Sequence, residues 1–192
     1  MNRRKLITLM TGALAGIAGT IVAIPFFKSL LPAKHLNPRD HDLIIKFPKL
    51  EAGGMIAVST QGAPIYVLKR SPEQVSALEE VNEELRDPNS IESDQPDSMQ
   101  NTFRSSKPEI FVAYGICTHL GCSVSNRPTG SDAWHRGSQF DKTGGFFCPC
   151  HGAIYDSAGR VYKNLPAPLN LRVPDYEFVD ETTIRIINKR TL

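Results

Sequence analysis

Two short boxes constrain this chain more than anything else in it: Cys117-Thr118-His119-Leu120-Gly121-Cys122 and, farther along, Cys148-Pro149-Cys150-His151-Gly152. They hold all four cysteines and two of the five histidines. Each box offers one Cys/His pair and one further cysteine. A four-ligand site of mixed sulfur and nitrogen uses two thiolates and two imidazoles, so two thiols are surplus. An ordinary structural zinc site has no use for them. In an exported domain, two spare cysteines can close a disulfide that ties the ligand loops together.

Each box follows an apolar run, at 110–114 and 145–147, which puts the ligands on loops at the ends of strands. Such loops are held at a defined spacing yet stay partly exposed. Further β-like runs lie at 43–47, 55–59, 65–68, 160–162, 177–179 and 183–187, several of them separated by turn residues such as Gly53-Gly54, Gly62 and Gly144-Gly145. One helix is expected after Ser71-Pro72-Glu73-Gln74, a capping box with proline at the first helical position. Val75, Leu78 and Leu85 mark its face, and Asp87-Pro88 ends it. The polar stretch 89–108 reads as a surface loop. Residues 123–143, with Trp134 and His135, read as a surface insertion.

The N-terminus carries a second signal. Arg3-Arg4-Lys5 precedes an uncharged apolar stretch, 6–27, which would extend roughly 33 Å as a helix and cross a bilayer core. Small residues (Gly12, Ala13, Ala15, Gly16, Ala18, Gly19) suit close helix packing in lipid, and Pro25 is expected to mark the exit. The arginine pair also looks like a twin-arginine export signal. Positive charge before the stretch keeps residues 1–5 in the cytoplasm and puts everything after Lys28 outside. A polar connector with Pro32 and Pro38 fills 28–42. The net charge of +2 implies no nucleic-acid partner. The remaining residues, about 150, suit one compact domain.

The paired pattern C-x-H-x-x-C … C-x-C-H resembles the Rieske [2Fe–2S] proteins, in which cysteines bind one iron and histidines the other. The resemblance implies one [2Fe–2S] cluster, with Cys117 and Cys148 on the inner iron and His119 and His151 on the outer one. It further implies a disulfide between Cys122 and Cys150. Soluble Rieske ferredoxins generally lack those two cysteines, so the likeness is to the quinol-oxidising Rieske subunits of bacterial cytochrome bc complexes. The fold implied is mainly β: an antiparallel β-sandwich with cluster-binding loops over 43–192, after one transmembrane helix and a flexible tether.

The function implied is electron transfer within a quinol–cytochrome c oxidoreductase at the periplasmic face of the inner membrane, with the N-terminus cytoplasmic. The partners implied are cytochrome b, a c-type cytochrome and quinol, in a dimeric complex. His151 would contact the quinol, and the Tyr155 hydroxyl would donate to a cysteine sulfur. Where relatives carry a serine that donates to a bridging sulfide, this chain has Ala153. Pro166-Ala167-Pro168 resembles the proline-rich loop that covers the cluster, here entered by Leu165 where glycine is common. Leu120 would lie on the apolar docking tip. Two other readings compete: the small Rieske subunit of a periplasmic molybdenum oxidase such as arsenite oxidase, and a membrane-tethered zinc-binding interaction module.

Overall fold

The computed structural model describes residues 2–30, 42–60, 63–130 and 139–187. It divides into a unit ending at Pro38 and a second beginning at Arg39. In the first, helix α1 spans Arg3–Ser29 and is long and apolar enough to cross a membrane. The hydroxyls of Thr8, Thr11 and Thr20 each donate to the carbonyl four residues back, at 2.8–2.9 Å. Polar side chains satisfied in this way tolerate an apolar medium. Pro25 lies inside α1 rather than at its exit. Proline deletes only one N–H donor, and the helix resumes within a turn. Most of the expected connector, 31–41, lies outside the described residues.

The second unit holds strands β1 (Leu43–Lys46), β2 (Met55–Val58), β3 (Ile65–Lys69), β4 (Ile110–Tyr114), β5 (Ser125–Arg127), β6 (Gly145–Phe147), β7 (Ile154–Asp156), β8 (Tyr176–Phe178) and β9 (Thr183–Ile186). They form three antiparallel sheets, ordered β1-β9-β8, β2-β3-β4 and β5-β6-β7. The inner faces share one core, in which Phe146 packs against Tyr66 and Phe111 with ring centroids 6.1 and 6.0 Å apart. Tyr66 reaches under the first box and donates to the Val124 carbonyl at 2.7 Å. Gly115 makes that possible, since a Cβ there would lie 2.4 Å from the Tyr66 ring.

Helix α2 (Pro72–Glu80) starts as expected: Ser71 Oγ accepts from Gln74 N–H and Gln74 Oε1 accepts from Ser71 N–H. It stops at Glu80, short of Asp87-Pro88, and a 3₁₀ turn, Asn82–Glu84, follows. Leu85 is extended instead and bridges Tyr162, while Arg86 N–H donates to the Val161 carbonyl. Long-range pairing outweighs local helix propensity there. Of residues 160–162, Val161 and Tyr162 form isolated bridges, to Tyr155 and Leu85, and none of the three lies in a strand. The reason is that Arg160 N–H goes to the Asp156 carboxylate and Val161 N–H to the Asn170 side chain.

Stretch 89–108 is not a surface loop throughout. Ser90, Ser93, Met99, Arg104 and Ser105 are all buried. Arg104 donates to the Ala158 carbonyl and to Gln95 Oε1. Arg70, equally buried, donates to the carbonyls of Phe103, Pro108 and Ser157. Burial pulls the Arg70 guanidinium down to about 9, with Asp156 opposing, so it stays charged at neutral pH. The expected insertion 123–143 is also partly built in. It supplies β5 and helix α3 (Gln139–Thr143), Thr143 is buried, and Phe140 meets Tyr162 edge-on at 4.8 Å. Trp134 and His135 lie outside the described residues.

Candidate metal centre

The two boxes fold as the same short loop. In the first, Cys117 N–H donates to the Cys122 carbonyl and Gly121 N–H to the Cys117 carbonyl, at 2.8 and 3.0 Å. In the second, Cys148 N–H donates to the Ala153 carbonyl and Gly152 N–H to the Cys148 carbonyl, again at 2.8 and 3.0 Å. Gly121 and Gly152 take the left-handed turn that each loop needs, with φ of 79° and 75°. Ala153 thus occupies in one loop the place that Cys122 has in the other. That equivalence is masked in the sequence because the other residues fall at different offsets from the first cysteine: the histidine at two in one box and three in the other, the second cysteine at five and two.

Cys122 and Cys150 are joined by a disulfide that ties the loops together. Cys117 and Cys148 are free thiols, 2% and 1% exposed. Cys122, Cys148 and Cys150 form the one compact group of potential metal ligands among the described residues. Two of its sulfurs are spent on the disulfide, so only Cys148 remains a donor there. Burial pushes the Cys148 thiol up, and the adjacent Cys117 thiol adds to this. The N–H groups of Cys150 and His151 pull it down by donating to the sulfur. Those donors favour the thiolate that a metal ligand must become.

On the open side of the loops, His119 and His151 face one another edge-on with centroids 4.8 Å apart. His151 is exposed, whereas His119 Nδ1 is buried and makes no hydrogen bond among the described residues. A buried imidazole nitrogen without a partner is costly unless its lone pair serves a metal. Two free thiols behind two imidazoles fit a cluster with one sulfur-ligated and one nitrogen-ligated iron.

The Tyr155 hydroxyl lies 3.2 Å from Cys117 Sγ, Thr118 N and Thr118 Oγ1. Thr118 N–H donates to it, which leaves the phenolic proton free for the sulfur. Burial raises the Tyr155 phenol well above its usual value, and the contact with Cys117 adds to that, so it stays a donor. Leu120 is 71% exposed, which removes core packing as its role. Pro166 and Pro168 are exposed, while Ala167 between them is buried in the core cluster that also holds Cys117, Cys148, Ala153 and Tyr155. Leu165 packs against Val81, Leu85 and Tyr162.

Sequence reasoning missed Thr118, whose hydroxyl donates to the Leu169 carbonyl at 2.6 Å, and Asn170 beside it. Their only signal was position: one stands between two candidate ligands, the other at the end of the proline run.

A family model, the Rieske [2Fe-2S] domain, matches residues 82–177. The chain belongs to the Rieske [2Fe–2S] family. It is 41% identical over 185 residues to a "Ubiquinol-cytochrome c reductase iron-sulfur subunit" of Allochromatium vinosum, covering 96% of this chain and 87% of that one. A protein of the same name from Blastochloris viridis is 36% identical, with 96% and 92% covered. A solved chain titled "Hyperthermophilic respiratory Complex III" aligns with a TM-score of 0.44 at 17% identity over 93% and 98% of the two chains, too slight a likeness to carry an argument. As a Rieske domain this one has the family's [2Fe–2S] cluster as its cofactor, and its sheets and loops are the frame that presents it.

Proposed function

We propose that this chain is the membrane-anchored electron carrier of a quinol–cytochrome c oxidoreductase. Cys117 and Cys148 hold one iron and His119 and His151 the other. The observation that carries the reading is the arrangement of donors: two buried free thiols, two facing imidazoles at the open edge, and a disulfide locking the loops between them. When bound, the cluster supplies a one-electron acceptor in a range of roughly −150 to +300 mV.

The remaining work falls to the chain itself. The outward ring nitrogen of exposed His151 accepts a hydrogen bond from the quinol hydroxyl and takes its proton. Leu120 offers the apolar contact by which cytochrome b completes the quinol pocket. The Tyr155 hydroxyl holds its proton toward Cys117, which withdraws electron density from that sulfur. The strap around Pro166 and Pro168 keeps water from the thiol side. Helix α1 anchors the chain in the inner membrane with Arg3, Arg4 and Lys5 cytoplasmic. The domain over 43–192 then works in the periplasm at the end of the 28–42 tether and delivers its electron to a c-type cytochrome, within a dimeric complex.

The test is electron paramagnetic resonance on membranes carrying the full chain, with analysis of what co-purifies. A rhombic signal of a histidine-ligated cluster, together with b- and c-type haem, is the expected result. Zinc without a signal would overturn the redox reading. A signal accompanied by molybdenum and no haem would transfer the chain to the oxidase type.

Ala153 gives a second test. It is fully buried beside the second box and has no hydroxyl to donate. Ala153→Ser is therefore expected to raise the midpoint potential by adding a hydrogen bond toward sulfur. A redox titration of the variant that gives an unchanged midpoint removes the role assigned to this position.

A further inference from the structure

The strap at 165–171 has no regular structure, and its two prolines offer no N–H donors. Its ends therefore decide where it lies. Leu165 holds one end through apolar packing. The other end is Asn170, buried at 1% exposure with its side-chain amide and its backbone N–H engaged. Its backbone N–H donates to Ser93 Oγ at 3.0 Å, and its Oδ1 accepts from Val161 N–H at 2.9 Å. Its Nδ2 donates to the Asp87 carbonyl and to Ser90 Oγ, both at 2.9 Å. An amide supplies two donors and an acceptor in that small space, which neither a carboxylate nor an aliphatic side chain does.

The groups that hold Asn170 are themselves held. The Asp87 carboxylate accepts from the N–H groups of Ile91 and Glu92 and from the Ser93 hydroxyl, at 2.8, 3.1 and 2.7 Å. Ser90 stands at a φ of 51°, a left-handed conformation uncommon outside glycine, and its carbonyl takes a hydrogen bond from Gln95 at 2.7 Å. A conformation of that kind persists only where its surroundings over-determine it. The turn at 87–93 is thus a stiff brace.

From Asn170 the contacts run on without a gap. The neighbouring Leu169 carbonyl accepts the Thr118 hydroxyl at 2.6 Å, Thr118 N–H meets the Tyr155 hydroxyl, and that hydroxyl meets Cys117 Sγ, both at 3.2 Å. We propose that Asn170 is a positioning residue of the cluster site. Anchored on the 87–93 brace, it fixes the Leu169 carbonyl, which fixes Thr118 and so the Tyr155 phenol against the cysteine sulfur. The proposal rests on the cluster-carrier reading given above.

The experiment compares wild type, Asn170→Ala, Ser93→Ala and Gln74→Ala in the full chain in membranes. Ser93→Ala is the milder lesion, removing one acceptor of Asn170, and it reads the proposal should Asn170→Ala fail to accumulate. Gln74→Ala breaks a buried polar contact to the Thr143 carbonyl and the α2 cap, away from the strap. Asn170→Ala and Ser93→Ala are expected to shift the midpoint and broaden the signal. Asn170→Ala should also release iron to a chelator about tenfold faster or more, the size of effect found when groups behind a metal ligand are removed. Gln74→Ala should lower the melting temperature and leave midpoint and line shape alone. Asn170→Ala and Ser93→Ala with wild-type midpoint and line shape, whatever their melting temperatures, overturn the proposal. A wild-type chain with no signal overturns the cluster reading itself, and the two failures are told apart by that one sample.

Discussion

Cys148→Ala is expected to abolish the iron–sulfur signal and reduce bound iron to background, while the Cys122–Cys150 disulfide still forms. Cys148 lies at the end of β6, is 1% exposed and carries a free thiol. Burial pushes its thiol up, and the N–H groups of Cys150 and His151 offset part of that by donating to the sulfur, as they would to a ligand thiolate. No neighbour can replace it. The two other sulfurs of that compact group, Cys122 and Cys150, are bonded to each other. Water is a poor substitute for a buried thiolate at an iron that prefers sulfur. Metal analysis and paramagnetic resonance on the same membranes, with the chain quantified by antibody, make the measurement. A full signal in Cys148→Ala overturns the ligand assignment. A signal kept in Cys148→Ala and lost in Cys150→Ala would exchange ligand and bridge.

The second large effect concerns stability. Asp156→Ala is expected to cost about 3–5 kcal/mol, the usual price of stranding a buried charge by removing its partner. Asp156 and Arg160 pair at 2.7 Å with both side chains fully buried. The carboxylate also accepts the N–H groups of Ala158 and Arg160, closing the turn after β7. Arg160 in turn donates to the Leu78 carbonyl and to Asn82 Oδ1, which ties that turn to α2 and the 3₁₀ segment. Alanine leaves the guanidinium without a counter-charge and two amides without acceptors.

By contrast, Asp94→Ala removes a partner from Arg172 in a pair whose side chains are 66% and 63% exposed, and water screens such pairs to within about 1 kcal/mol. Thermal denaturation of the purified full chain separates the two: roughly a 10 °C drop for Asp156→Ala against a degree or two for Asp94→Ala. A loss below about 1 kcal/mol in Asp156→Ala would show that the pair is not what holds this turn. Asp156→Ala combined with Arg160→Met should recover part of the loss, since an apolar replacement of both partners leaves no charge stranded.

Legibility in the sequence followed chemistry. Iron ligation restricts residue type and spacing so severely that the two Cys/His boxes stand out without any structure, and the family resemblance implies Cys117, His119, Cys148 and His151 as the ligands among them. The apolar stretch of α1 and the Ser71–Gln74 capping box were legible for a similar reason, because each depends on residues a few positions apart. Strands rich in apolar residues, such as β3 and β4, announced themselves too. The polar strand β5, Ser125–Arg127, did not, because only its pairing with β6 makes it a strand.

The sequence by itself singled out the two candidate ligand boxes, and it carried the antiparallel β frame and the membrane-length helix in local pattern. Tertiary structure alone decided which polar residues go inside. Ser90, Ser93, Arg104 and Asn170 look like surface residues in the chain, yet they are buried where distant backbone groups need partners. Asn170 meets Asp87 and Ser90 at separations of 83 and 80 residues. Pairings at that range leave no periodicity to read, because their free energy comes from satisfying hydrogen bonds that exist only once the chain has closed.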